Sequence, residues 1–265
     1  MKCYICGCVY KNEGFLKKSF ENIRLIQSLF DETKIVICYD NSGDKSLQEL
    51  SELKKEFDID IIMNKKDRFG AWFGRAYNIG QARNQILDNI YNRDFDIRYN
   101  SGDNFYDFFI MIDMDDVGAH KINIEVLKKY ISGSYIDNWD SLSFWNKGYY
   151  DTWAVSIDHL QDSSWNIPNT DGWEMNKQVL DYLKDVVDNM TSDLRPISSA
   201  FNGFAIHKMN KFKNIRYLPG TSLNNEIIID CEHRSFYKEA NKQNIKVMFS
   251  KDCIFEEMKN INKLN

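Results

Sequence analysis

The stretch Phe108-Phe109-Ile110-Met111-Ile112-Asp113-Met114-Asp115-Asp116 decides how the rest of the chain is read. Five large apolar residues in a row are strand length, and an unbroken apolar run marks a strand buried on both faces. Three acids follow at once. In open α/β sheets, ligands bind at the C-terminal edge of the strands. Residues two apart on a strand point the same way, so Asp113 and Asp115 are expected to face one pocket. Carboxylate oxygens suit a hard divalent cation, Mn2+ or Mg2+, which can also hold a diphosphate. Taken alone, acids after a strand serve equally well as loop residues or a helix N-cap, so the neighbours must decide.

Towards the N-terminus the pattern alternates. Residues 4–10 read as a strand. Residues 12–30 carry Phe15, Leu16, Phe20, Ile23, Ile26 and Leu29 at helical spacing. Residues 34–39, with an unbroken apolar run from Ile35, read as a second buried strand. The cluster Asp40-Asn41-Ser42-Gly43-Asp44 is a turn, and Ser46 is expected to cap a helix over 47–57. A third strand covers 59–63, and a helix covers 77–91. This β-α-β-α-β order predicts an α/β fold, a mostly parallel sheet flanked by helices.

Beyond the acidic turn, residues 126–131 read as a helix end and 175–190 as a helix. Strands are expected at 205–207 and 246–249, with a helix over 235–243 between them. Residues 141–173 are rich in Trp, Tyr, Asn, Asp and Gly without clear periodicity, as acceptor-pocket loops often are. No repeat or linker interrupts the chain. One domain over 1–265 is expected, with a nucleotide half to about 115 and an acceptor-side lobe from about 116.

Composition narrows the function. The net charge of −5 argues against a nucleic-acid partner, which calls for a basic face. No apolar run approaches the roughly 20 residues of a membrane span, and no signal peptide is evident, so a soluble cytoplasmic protein is expected. Cys3, Cys6 and Cys8 have a C-x2-C-x-C spacing, but they lie within a strand and no further ligand follows at zinc spacing. Cys38, Cys231 and Cys253 are dispersed, as reduced cysteines are. The sequon at Asn189 is expected to be chance without a secretory signal.

Other chemistry-bearing residues fall near strand ends. Arg75 and Arg83 open a helix and are candidates for a diphosphate, because a guanidinium fork bonds two oxygens. Asp40 follows the second strand and suits a base or ribose. Glu232 and His233, in Asp230-Cys231-Glu232-His233-Arg234, precede a helix. A neutral imidazole there can complete a metal shell, while Glu232 can act as a base or bind a sugar hydroxyl; both also fit first-turn positions on a helix. His120, His159 and His207 are expected to be structural or exposed.

The order of these motifs resembles a known family. Lys11-Asn12-Glu13 and residues 40–44 look like the opening of GT-A-fold glycosyltransferases, Ala82-Arg83-Asn84 like their A-R-N helix, and residues 113–117 like their D-x-D site. Tyr149-Tyr150-Asp151-Thr152-Trp153-Ala154, Phe201-Asn202-Gly203-Phe204-Ala205 and residues 230–233 resemble the fungal capsule-associated α-1,3-mannosyltransferase family and related viral glycosyltransferases. The resemblance spans residues 1–255. It implies a GT-A-like (Rossmann-like) fold, a GDP- or UDP-linked sugar donor, a glycan or glycoconjugate acceptor and Mn2+. It implies that Asp115 or Asp116 binds the metal and that Asp113 sits near the ribose or donor sugar. Arg83 would approach the nucleotide-sugar, and Asp151, Trp153, Asn202 and Glu232 would line the donor-sugar or acceptor side. Two departures stand out: the fungal members are membrane-anchored, and the acidic turn here has an extra carboxylate. The abundance of Asn, Lys and Ile suits an AT-rich, viral genome.

The expectation is therefore a metal-dependent glycosyltransferase. Asp113, Asp115, Asp116 and His233 are its metal candidates. Asp40, Arg83, Asp113 and Asn202 are its donor-binding candidates, and Glu232 and Asp151 its candidate bases. An inverting enzyme needs such a base, whereas a retaining one can use the leaving phosphate, and the resemblance leans to retention. A nucleotidyltransferase would call for a Gly-rich, basic loop, which residues 8–12 lack. A non-catalytic carbohydrate binder is the third reading, suggested by Tyr149, Tyr150, Trp153, Trp165 and Trp173.

Overall fold

The apolar run before the acidic turn forms β4 (Phe108–Ile112), with all five residues buried. It lies inside an eight-stranded sheet of order β3-β2-β1-β4-β7-β5-β10-β6. The computed structural model describes residues 1–64, 74–101, 105–160, 172–218, 221–223, 226–228 and 230–256. The strands β1 (Lys2–Val9), β2 (Glu32–Tyr39) and β3 (Ile59–Met63) pair in parallel, and β1 pairs in parallel with β4. On the far side of β4, β7 (Phe204–Lys208) runs antiparallel to it and to β5 (Ser141–Trp145). The strand β10 (Val247–Cys253) is parallel to β5, and β6 (Leu194–Pro196) closes the edge antiparallel to β10. Strands after residue 116 thus extend the same sheet. A separate hairpin joins β8 (Thr221–Leu223) to β9 (Glu226–Ile228).

Both faces of the sheet are covered, which is why its central strands read as unbroken apolar runs. One core packs Tyr4, Cys6, Phe109 and Met111 against α3 (Gly74–Ser101), α5 (Gly172–Asp188) and α7 (Glu232–Lys242), through residues such as Ile86, Leu183 and Phe236. The other packs Cys3, Ile5, Phe108 and Ile110 against α1 (Leu16–Gln27), α2 (Ser46–Leu53) and α4 (Ile124–Tyr130), through Phe20, Leu50 and Leu127. A short α6 (Met209–Phe212) follows β7. No helix among the described residues is long and apolar enough to cross a membrane.

Three expectations change. The helix α3 continues past residue 91 to Ser101, because no Gly or Pro interrupts residues 81–101. Ser46 is the first residue of α2 and not its cap. Its hydroxyl donates to Asp44 Oδ2 at 2.7 Å and accepts the Asn12 N–H at 2.9 Å, tying the β1–α1 turn to α2. The strand β5 lies at the start of the aperiodic segment. Ser141 and Ser143 alternate with Leu142 and Phe144 in its sequence, yet every residue is buried.

His207 bears out its structural expectation. It is 1% exposed, its ring stacks on Phe109 with centroids 4.5 Å apart, and its Nδ1 lies 2.9 Å from Ser141 Oγ. Burial pushes its pKa down from 6.5 to about 3. The unfolded chain therefore takes up the proton first, so this residue's stabilising contribution is full above pH 6.5 and falls as pH drops towards 3. The loss is about 1.4 kcal/mol per pH unit. Urea denaturation of the native chain and a His207→Phe variant at pH 7, 6 and 5 isolates this effect. The stability difference between them is expected to move in the variant's favour by about 0.7 kcal/mol from pH 7 to 6 and by about 1.2 kcal/mol from pH 6 to 5.

Candidate active site

At the end of β4 the chain leaves the sheet. The Asp113 N–H donates to Gly203 O at 2.9 Å, and Asp115 Oδ1 accepts the Val117 N–H at 3.1 Å, closing a tight turn. Two glycines make that turn possible. A Cβ on Gly118 would lie 1.7 Å from Asp113 O, and one on Gly203, where φ is +80°, would lie 2.4 Å from Val117 Cγ1. Asp113 and Asp115 both reach one cleft of about 670 Å³ at the C-terminal ends of β1, β2 and β4. They do so through this turn, since the strand has already ended at Ile112.

The same cleft gathers most of the predicted residues: Asp40, Arg75, Arg83, Asp151, Trp153, Glu232 and His233 line it with Asp113 and Asp115. Asp116 and Asn202 do not. Asn202 is 1% exposed, and its Oδ1 accepts the Tyr150 N–H at 3.0 Å. Cys8, Tyr10 and Cys38 also line the cleft and were not expected to, whereas Asn12 falls on the expected nucleotide side and Tyr150 was expected only as a carbohydrate-binding aromatic. Tyr150 comes from a loop with no periodicity to mark its direction. Its hydroxyl donates to Asp113 Oδ2 at 2.5 Å.

Arg83 is central and buried, at 4% exposure. Its Nη2 donates to Asp113 Oδ1 at 3.1 Å, and its Nη1 donates to Glu232 and faces His233 Nε2. The rings of Phe201 and Tyr217 stand 5.0 and 5.5 Å from the guanidinium carbon. Burial opposes the guanidinium charge, but Glu232 and Asp113 outweigh it and raise the Arg83 pKa. His233, stacked on Phe201 with centroids 3.8 Å apart, is pushed well down by burial and by the Arg83 charge, so its imidazole is neutral. Arg83 can only donate, so Nε2 is the acceptor and the ring proton belongs on Nδ1.

For Asp115 and Asp151, burial and neighbouring acids outweigh the nearby arginines. Burial, with Asp113 and Asp116 beside it, pushes the Asp115 carboxyl well above the usual range. Burial first, then Glu232 and Asp113, push Asp151 up to about 8. The cleft lining carries five carboxylates (Asp40, Asp113, Asp115, Asp151 and Glu232) against two arginines. One arginine, Arg83, is already shared between Asp113 and Glu232. The donor set therefore suits a hard cation at Asp115. The four expected metal ligands are not preassembled, however. Among the described residues no group of three or more His, Cys, Asp or Glu is arranged to hold a metal ion. His233 is turned to Arg83, and both Asp113 oxygens have protein partners.

The other aromatics and histidines separate clearly. Tyr149 is core, stacked on Trp145 and donating its hydroxyl to Phe201 O at 3.1 Å. Trp165 lies outside the described residues, as does the side chain of Trp173. His120 Nδ1 is 3.2 Å from Val117 O, and His159 packs edge-on to Tyr182.

No protein-family model matches the sequence, and no curated protein does. Solved structures do. Residues 1–349 of S. aureus TarS match with a TM-score of 0.53 and 16% identity, over 96% of this chain and 59% of that one. The same TarS region in complex with UDP gives a TM-score of 0.51 at 15% identity over the same shares. The mannosyltransferase PcManGT from Pyrobaculum calidifontis, in complex with GDP-Man and Mn2+, gives 0.52 at 11% identity, over 98% of this chain and 58% of that one. The fold is of the GT-A type. This chain spans about three fifths of the length of these GT-A proteins. In the GT-A sheet seen here, the acidic turn stands between β4 and β7, where parallel pairing gives way to antiparallel.

Arg83→Met is expected to destabilise the chain by about 3 kcal/mol, because it leaves the buried Glu232 and the partly buried Asp113 uncompensated. Arg83→Lys is expected to recover only part of this, since an ammonium lacks the fork that bonds Asp113 and Glu232 together. Chemical denaturation of the three proteins at neutral pH measures both.

Proposed function

We propose that the chain transfers a sugar from a nucleoside-diphosphate sugar to a hydroxyl of a glycan or glycoconjugate, with Mn2+ or Mg2+. The observation that carries this reading is the acidic turn at the end of β4, opening into the acid-rich cleft of a GT-A fold. An anionic diphosphate is repelled by this acid-rich cleft unless a cation stands between them.

The protein contacts divide the acids by role. Asp113 is engaged by Arg83 and Tyr150, so Asp115 is the carboxylate best placed to hold the metal, with Asp116 next to it in the turn. Bound there, the cation supplies Lewis-acid stabilisation of the leaving diphosphate. Asp40, at the end of β2, is the candidate for the base or ribose, and Tyr10 offers an aromatic face at the same end of the cleft.

Glu232 is bound by Arg83, so its carboxylate is already engaged by the protein. Asp151 lines the cleft and has a raised affinity for protons, as a general base working near neutral pH requires. In this assignment Asp151 takes the proton of the acceptor hydroxyl as that oxygen attacks the anomeric carbon. The bond from that carbon to the diphosphate breaks, and the configuration inverts. This assignment parts from the retention towards which the sequence resemblance leans.

Thermal melts with MnCl2 and a panel of UDP, GDP, ADP, CDP and dTDP test the donor site. One diphosphate is expected to stabilise the chain only with metal, by about 2.7 kcal/mol at a hundredfold excess over its Kd. Asp115→Asn is expected to lose that shift. No shift with any diphosphate would sink the reading. The resemblance to mannosyltransferases puts GDP-mannose first among donors to be assayed for turnover. With the active donor, Asp151→Asn is expected to lower kcat by about 10²–10⁴ with little change in donor KM.

A further inference from the structure

The proposed base does not stand on its loop unsupported. Tyr150, the residue before Asp151, is held at two points. Its backbone N–H donates to Asn202 Oδ1 at 3.0 Å, and its hydroxyl donates to Asp113 Oδ2 at 2.5 Å. The next residue after Asn202 closes the circuit, since Gly203 O accepts the Asp113 N–H at 2.9 Å. Four residues from three separate segments thus form a ring: Asp113, Tyr150, Asn202 and Gly203.

The ring is stiff. Gly203 has a positive φ and Val117 pressed against it, so the β7 end of the ring cannot shift freely. Asn202 is fully enclosed. Asp113 is fixed on its other oxygen by Arg83. Past Tyr150, the segment is pinned again, where the Thr152 hydroxyl donates to Asn176 Oδ1 on α5 at 2.8 Å and Ala154 N–H donates to Asp151 O at 3.1 Å. Asp151 sits between these two anchors. A base must lie within hydrogen-bond reach of the proton that it takes, and a displacement of about 1 Å can cost about a hundredfold in rate.

We propose that Tyr150 and Asn202 are positioning residues that set Asp151 against the acidic turn. Neither touches the reacting atoms in this scheme. The Tyr150 hydroxyl ties the acceptor-side loop to the carboxylate that follows β4, and Asn202 holds the backbone from which Asp151 projects. The ring makes the donor side and the base side of the cleft one rigid unit. The inference rests on the glycosyltransferase reading and on the role given to Asp151.

The test uses metal-dependent hydrolysis of GDP-mannose or UDP-glucose, whichever the native chain turns over, with water as the acceptor. Tyr150→Phe removes one hydroxyl and keeps the ring of the side chain. It is expected to lower kcat by about tenfold or more, with the donor KM and the Mn2+ midpoint within about twofold of native. In a double-mutant cycle with Asp113→Ala, Tyr150→Phe is expected to add no further loss, because both changes break the same hydrogen bond. Asn202→Ala is expected to lower kcat in the same way, again with the donor KM within about twofold of native. Native kcat in both Tyr150→Phe and Asn202→Ala would overturn the proposal. So would losses in Tyr150→Phe and Asp113→Ala that simply multiply. A native chain inert towards every nucleotide-sugar and diphosphate would instead overturn the glycosyltransferase reading.

Discussion

One buried guanidinium holds the cleft together. Arg83 comes from α3, and its partners Asp113 and Glu232 come from the end of β4 and the start of α7. A buried cation without carboxylates is too costly to keep, and each carboxylate is equally costly without the cation. The three elements therefore have a single satisfactory arrangement at this point. Phe201 and Tyr217 exclude water on either side and strengthen the pairing. His233 is drawn in as a neutral acceptor, which removes it from the company of the acidic turn.

The spent charge of Arg83 shapes the rest of the cleft. Its fork is already occupied by protein carboxylates, so it leaves an acidic surface that it does not neutralise. Asp115 and Asp151 carry the consequence, as raised proton affinities caused by burial and by neighbouring acids. Such a surface selects for cations, and for anions only in their company. The acidic turn itself is a backbone device. Gly118 and Gly203 let the chain double back at the end of β4, and any side chain at either would meet Asp113 or Val117.

Much of this was legible in the chain. The apolar runs of β1 to β4 and the helical stripes of α1 and α3 follow directly from periodicity, because both sheet faces and one face of each helix are buried. The acidic turn was legible because three acids follow a run that can only be buried. Asp40, Arg83, Asp151, Glu232 and His233 were marked by their places near strand ends and motifs, and the fold brings them to one cleft. The strand β5 was not legible, since its serines imitate a half-exposed pattern while β7, β10 and the helices cover it. Tyr150 was marked only as a carbohydrate-binding aromatic; its bond to Asp113 was not legible, because a loop side chain has no period to show which way it points. Asn202 was marked for the donor, and it lies behind the cleft, holding the Tyr150 backbone.

The sequence by itself determined which residues carry charge, which runs must be buried and in what order strands and helices alternate. Those properties are local, set by side-chain chemistry and by the two backbone periods. Only the tertiary structure decided what each charge does. Arg83 is a clamp between protein carboxylates because Glu232, some 150 positions along the chain, arrives beside it. Asp113 is held from both sides, and among the described residues Asp115 has no cationic side chain bonded to it. The acidic turn that opened the reading therefore keeps its importance, but its carboxylates are no longer equivalent. Their pairing depends on long-range packing, which no local pattern encodes.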